Sequence, residues 1–247
     1  MEIAVAAVAV FLGQFVRGVT GFGHNMVAIP IMLLVWPARE ALFVASCVAV
    51  IAGFVLLPEV GRSLRVALMI GILAPLVAGQ LVGSELLFML PEDRVRQVLG
   101  VVIGALSVDM ILRPVKRGQG ELEDLPPNPG RLLALGGVAG LVGGVMGGLT
   151  GMDGPPIVLF LRRFFRDHFM RAQLVAIFEI SAITLAVMLW ARGGAPPDAA
   201  MTVLWLLPPL ALGAKVGEAV AGRLSRERFG RVVGAMLLFA AMTLIRR

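Results

Sequence analysis

The chain carries one cysteine, Cys47, no tyrosine, two histidines and only two lysines, Lys116 and Lys215. A single cysteine excludes a disulfide framework and a cysteine-cluster metal site. His24 and His168 never share metal-ligand spacing on one helix, so the residues that a hydrolytic or metal-dependent enzyme needs are scarce. No phosphate-binding loop of the GxxxxGK[ST] type occurs, so an ATP-driven pump would require a second chain. Charge is also sparse. Only 15% of the 247 residues are charged and 58% are hydrophobic, against about 25% and 45–50% in soluble domains. With a mean hydropathy of +0.91, this composition describes an all-α polytopic membrane protein. The net charge of +6 does not point to nucleic acid, because the arginines fall in short clusters between apolar segments, where they face anionic lipid.

Eight apolar segments run at about 3–36, 40–57, 66–90, 96–112, 131–161, 171–191, 199–222 and 229–245. A single crossing takes about 20 residues, so six segments suit one crossing each. Segments 1 and 5 are too long for one crossing and short for two. Each is either a long tilted helix or a pair of half-helices meeting inside the membrane, re-entrant or discontinuous. Residues 3–12 have the apolar character of a signal-peptide core but lack a basic start, and the run continues past Arg17. They read as part of segment 1. Trp36, Trp190 and Trp205 fall near segment ends and read as interface anchors.

Both long segments are interrupted by the same pattern. Gly18-Val-Thr-Gly21-Phe-Gly23-His24-Asn25 precedes the apolar run 26–34, and Gly147-Gly148-Leu-Thr-Gly151-Met-Asp153-Gly154-Pro155-Pro156 precedes 157–161. Broken helices in corresponding places of two halves point to the binding site of a carrier. If segments 1 and 5 return to their own side, the basic clusters at 62–65, 113–131, 162–171 and 223–231 gather on one face. If all eight cross, the arginines split almost evenly. The positive-inside rule favours the first arrangement, with the clusters cytoplasmic, both termini outside and each half making an odd number of crossings. The halves are then inverted repeats. At an offset of 134 residues, Pro75, Gly79, Gly83, Arg94 and Gly100 match Pro209, Gly213, Gly217, Arg228 and Gly234. The expected organisation is one transport domain, with repeat one at 1–112, a Pro/Gly-rich charged linker at 113–130, and repeat two at 131–247.

A half-helix that starts after each glycine break aims its unpaired N–H groups and positive dipole end at the break, which suits a small anion. The expected binding residues are Arg17, Thr20, Gly21, Gly23, His24 and Asn25 from the first copy. The second copy supplies Thr150, Gly151, Met152, Asp153 and Gly154. Asp153 can cap the following half-helix, or carry a proton as an intramembrane carboxylate. His24 and Glu179 are the other coupling candidates, and Glu85 and Asp109 are further acids at membrane level. Lys215 and Glu218, three residues apart, are expected to form an internal ion pair. Gly136, Gly140, Gly144 and Gly148 recur every four residues; the first three read as a packing stripe, whereas Gly148, at the break, reads as site-lining.

Three features together resemble the sulfite exporter TauE/SafE family of bacterial membrane permeases. They are Gly21-Phe22-Gly23 followed by Pro30, Gly151-Met152-Asp153-Gly154-Pro155-Pro156, and Gly79-xxx-Gly83 with Pro91-Glu92-Asp93-Arg94 after it. The resemblance spans essentially the whole chain. It implies a secondary carrier, without cofactor or ATP hydrolysis, for sulfite or an organosulfonate in the bacterial inner membrane. Asp153 departs from the family pattern, which is uncharged at this point. The expected partners are the small anion, the lipid bilayer and, through small-residue helix faces, a second copy of the chain, with no nucleic acid. Two other readings stay open: a non-transporting membrane scaffold and, less favoured, an intramembrane enzyme.

Overall fold

The computed structural model describes residues 2–20, 23–56, 66–112, 129–164, 167–221 and 226–246. Among these residues there are ten helices and no strand: α1 (Glu2–Thr20), α2 (His24–Met32), α3 (Ala38–Leu56), α4 (Val66–Met89), α5 (Glu92–Leu112), α6 (Pro129–Thr150), α7 (Gly154–Phe164), α8 (Asp167–Ala191), α9 (Ala199–Ala221) and α10 (Arg226–Arg246). Five of them, α1, α4, α6, α8 and α9, are long and apolar enough to cross a membrane. Most of the expected linker, residues 113–128, lies outside the described residues, and α6 begins at Pro129.

The two long segments are helix pairs. Segment 1 divides into α1 and α2, segment 5 into α6 and α7. Gly151 (φ 71°), just after α6, and Gly23 (φ 93°), just before α2, take the left-handed conformation, which an L side chain adopts only at a cost. Each short helix then folds back along its predecessor. Gly13 of α1 packs against His24 and Ala28 of α2, while Gly143 and Gly136 of α6 pack against Ile157 and Phe160 of α7. At 9 and 11 residues, α2 and α7 extend only about 14–17 Å at 1.5 Å per residue, roughly half of a ~30 Å hydrocarbon core.

Helix backbones come into direct contact along two seams. On α4, Gly79 and Gly83 face the Leu141 and Val145 carbonyls of α6, and α6 answers with Gly140, Gly144 and Gly148 against the carbonyls of Ile72, Leu76 and Gln80. On α9, Gly213 and Gly217 face the Phe11 and Phe15 carbonyls of α1. Between apolar helices in lipid there is no hydrophobic force to exploit, so close approach at small residues supplies the packing energy. The seams correspond in detail. Gly148 lies over the Gln80 carbonyl and the Ser84 amide, and Gly18 over the Ala214 carbonyl and the Glu218 amide. Each seam joins a helix of residues 2–112 to one of residues 129–246. The remaining major pairs, α3 with α8 and α5 with α10, also cross the chain's midpoint.

Large apolar side chains such as Met89, Leu112, Val138 and Phe239 cover the outside, as lipid contact requires. Trp190 and Trp205 are exposed among them, whereas Trp36 is buried in the core and its carbonyl accepts from Arg96. Trp36 is therefore not the interface anchor its place near a segment end implied. Lys215 and Glu218 lie on the exposed side of α9, so the internal ion pair expected of them is also absent. Gly217, on the opposite face of this turn, is what meets α1.

The seams make a specific prediction. Gly144→Ala puts a Cβ into the Leu76 carbonyl, whereas a Cβ at Gly104 meets only Ala241, at 3.7 Å. Thermal unfolding in detergent should show Gly144→Ala losing about 1–3 kcal/mol through overpacking. Gly104→Ala should be neutral or gain up to about 1 kcal/mol in helix propensity. Equal melting temperatures for the two variants would rule out backbone contact at this seam.

Candidate functional site

The two breaks meet. Asn25 Nδ2, in the first turn of α2, donates to the Gly151 carbonyl of the second break at 3.0 Å, joining positions 126 residues apart in sequence. Beside this bond lies a cavity of about 70 Å3, several times the ~10–15 Å3 that one water occupies on the same measure. It is lined by Arg17, Gly23, His24, Asn25 and Met26 from the first break and by Gly151, Met152, Asp153 and Gly154 from the second. The remaining wall is Ala49 of α3 with Val175, Phe178, Glu179, Ser181, Ala182 and Leu185 of α8. Glu179 and Ser181 fall at the middle of the apolar stretch Ala172–Ala191.

Most of the residues expected from the motif are therefore brought together. Three are not placed on the cavity wall. Gly21 and the Thr20 side chain lie outside the described residues. Thr150 turns inward: its Oγ1 donates to the Met146 carbonyl at 2.7 Å and accepts the Met152 amide at 3.2 Å. It closes the end of α6 instead of facing the cavity. Gly148 likewise belongs to the packing seam.

The two helix starts are chemically unequal. At α2 no side chain caps the first turn, and the amides of His24, Asn25 and Met26 belong to residues that line the cavity. At α7, Pro155 and Pro156 occupy the first turn and have no N–H to offer. Asp153 precedes them, so that end presents a carboxylate where the other presents donors. The start of α2 therefore keeps its first-turn amides, while the start of α7 carries Asp153 and two prolines.

The acidic end is anchored by a chain of hydrogen bonds that the motif did not reveal. Thr184 Oγ1 donates to Gln80 Oε1 at 2.6 Å. Gln80 Nε2 in turn donates to Ser181 Oγ at 2.7 Å, and Ser181 Oγ donates to Asp153 Oδ2. Gln80 and Ser181 are buried. A lone Gln or Ser in an apolar helix carries no sequence pattern of its own. The only hint is that Gln80 lies one residue after Gly79 on the face that meets α6.

Glu179 and His24 differ from Asp153. They are 5% and 4% exposed, yet neither Glu179 oxygen and neither His24 nitrogen has a hydrogen-bond partner among the described residues. The Arg17 guanidinium is near enough to act electrostatically on both. Glu179 also rests on Gly53 of α3, where any Cβ would overlap its carboxylate. Of the other acids, the exposed Glu85 pairs with Arg192, and the Asp109 side chain lies outside the described residues.

A helical membrane protein whose two helix breaks face one polar, mixed-charge cavity is a membrane transporter in its architecture. The family model described as sulfite exporter TauE/SafE matches residues 5–244, and the chain belongs to that family, whose members are membrane transporters of sulfur-containing anions. No curated protein and no solved structure is matched by the chain.

Removing the bridge between the breaks tests the geometry. Asn25→Ala leaves the Gly151 carbonyl without this donor, and thermal unfolding should show a loss of about 1 kcal/mol. Ser181→Ala strips Asp153 of its hydroxyl donor and should cost about 1–3 kcal/mol. Native stability in both variants would mean that these bonds do not hold the breaks together.

Proposed function

We propose that the protein is a secondary carrier, in the bacterial inner membrane, for a small sulfur-containing anion such as sulfite or an organosulfonate. The anion occupies the cavity between the two breaks, which opens alternately to either side. The observation that carries this reading is the Asn25 to Gly151 bond, which brings both breaks to one cavity beside Arg17. Arg17 and the amides of α2 supply positive potential, and the glycine at 23 leaves the backbone accessible. The cavity suits an ion of a few heavy atoms.

The carrier works as two inverted repeats, residues 1–112 and 131–247 with the linker 113–130. Support comes from the exchange of partners: α4 of the first half holds α6 of the second, and α9 of the second holds α1 of the first, at corresponding residues. Support for re-entrant half-helices comes from the way α2 and α7 fold back along α1 and α6. Proton coupling runs through the ionisable groups of the cavity, with His24, Asp153 and Glu179 as candidates.

The test is ligand-induced stabilisation of the purified protein across sulfite, thiosulfate, ethanesulfonate and acetate. An anion at about 100 times its Kd adds ~2.7 kcal/mol, worth about 5–10 °C in a chain of this size. A sulfur-containing anion should stabilise the native protein and Asp153→Asn, while Arg17→Ala loses the shift. If no anion stabilises the native protein, the site between the breaks is not an anion site and a scaffold reading gains.

A further inference from the structure

The cavity holds one guanidinium and two carboxylates, and these are not interchangeable. We infer that Glu179 is the group that takes up a proton when the anion binds, so that anion and proton cross together. This inference rests on the anion-carrier reading above.

Three observations distinguish Glu179 from its neighbours. Asp153 is the acceptor end of the chain Thr184, Gln80, Ser181, in which every donor points toward it, so its carboxylate is engaged as a structural acceptor. Glu179 is equally placed on the cavity wall but has no hydrogen-bond partner on either oxygen among the described residues. Its one compensation is the Arg17 charge. His24 is also unpartnered, but a proton there would sit beside Arg17 as a second positive charge, and its Nδ1 is pressed against Gly13.

Among the described residues, the ionisable groups that share the cavity with Glu179 are Arg17 of α1, His24 of α2 and Asp153 from the second break. From α3 come Gly53 and Ala49, and from the start of α7 Gly154, none of them ionisable.

Coupling then follows from sharing. In the empty cavity Arg17 compensates Glu179. An incoming anion takes the same guanidinium and the α2 amides, and leaves the Glu179 carboxylate buried without its counter-charge, which is strongly unfavourable. One proton from the open side forms the O–H bond on Glu179 and removes that charge. Release reverses both events: the anion leaves, the O–H bond breaks toward the newly open side, and Arg17 again faces a carboxylate. By linkage each ligand raises the affinity for the other. For a monovalent anion the pair is electrically neutral.

The experiment uses the full chain in proteoliposomes with an entrapped pH dye. The probe is ethanesulfonate, whose charge is constant across the working pH range, and labelled sulfite runs in parallel. Native protein should carry one proton per ethanesulfonate. An inward proton gradient should concentrate the anion about tenfold per pH unit. Glu179→Gln should still bind and exchange the anion across the membrane, with no proton movement and no accumulation. Asp153→Asn, at whatever rate it transports, should keep the native ratio. Native protein that moves anions without protons, or Glu179→Gln that still accumulates them, overturns the inference and leaves the carrier intact. Native protein that neither binds nor moves either anion overturns the carrier reading itself.

Discussion

Where a helix stops inside an apolar bundle, its freed backbone groups have no water to turn to, and each unmet group costs several kcal/mol. The breaks at Gly23 and Gly151 impose that constraint twice, and the arrangement around them follows from it. At the second break the Gly151 amide stays bonded to the Gly147 carbonyl, Thr150 takes the Met152 amide, and Asn25 covers the Gly151 carbonyl from the other break. At the first break the leading amides of α2 receive no side-chain cap, and their residues line the cavity. The binding chemistry is what remains after the fold has met every backbone demand it can.

That remainder is lopsided because two otherwise similar motifs differ in a few residues. His24 and Asn25 follow one glycine turn; Asp153, Pro155 and Pro156 surround the other. The first choice keeps backbone donors in the cavity and the second removes them and adds a negative charge. With Arg17, Asp153 and Glu179 all on its lining, the cavity holds both signs of charge within one small volume. A pair of identical breaks would not put both signs of charge there.

Much of this was legible in the sequence because glycine is conspicuous in an apolar run. The positions of both breaks, the every-fourth-residue stripe at Gly136 to Gly144, and the matched pair Gly79 and Gly83 with Gly213 and Gly217 all correspond to turns or seams. The cavity residues nearest the breaks came with them. What escaped were single side chains supplied by distant helices. Gln80 and Ser181 have no neighbours in sequence to mark them, and only the packing of α4 and α8 brings them to Asp153. The Lys215–Glu218 pair was misjudged because periodicity gives the faces of a helix but not which face is turned inward, and Trp36 because the end of an apolar segment, here the turn between α2 and α3, can be packed into the core. Gly217, matched to Gly83, held that answer for α9.

The glycine seams also set a timetable for making the protein. Every one of them joins an early helix to a late one, so neither half of the chain owns a complete seam. Gly79 and Gly83 wait for α6, and Gly18 waits for Gly217, almost two hundred residues downstream. At about 5–20 residues per second of synthesis, α1 spends roughly 10–40 s in the bilayer before α9 exists to receive it. During that interval its glycine face is open to any other small-residue helix nearby. The nascent chain is therefore most dependent on the insertion machinery not at its most polar segments but at its smoothest ones.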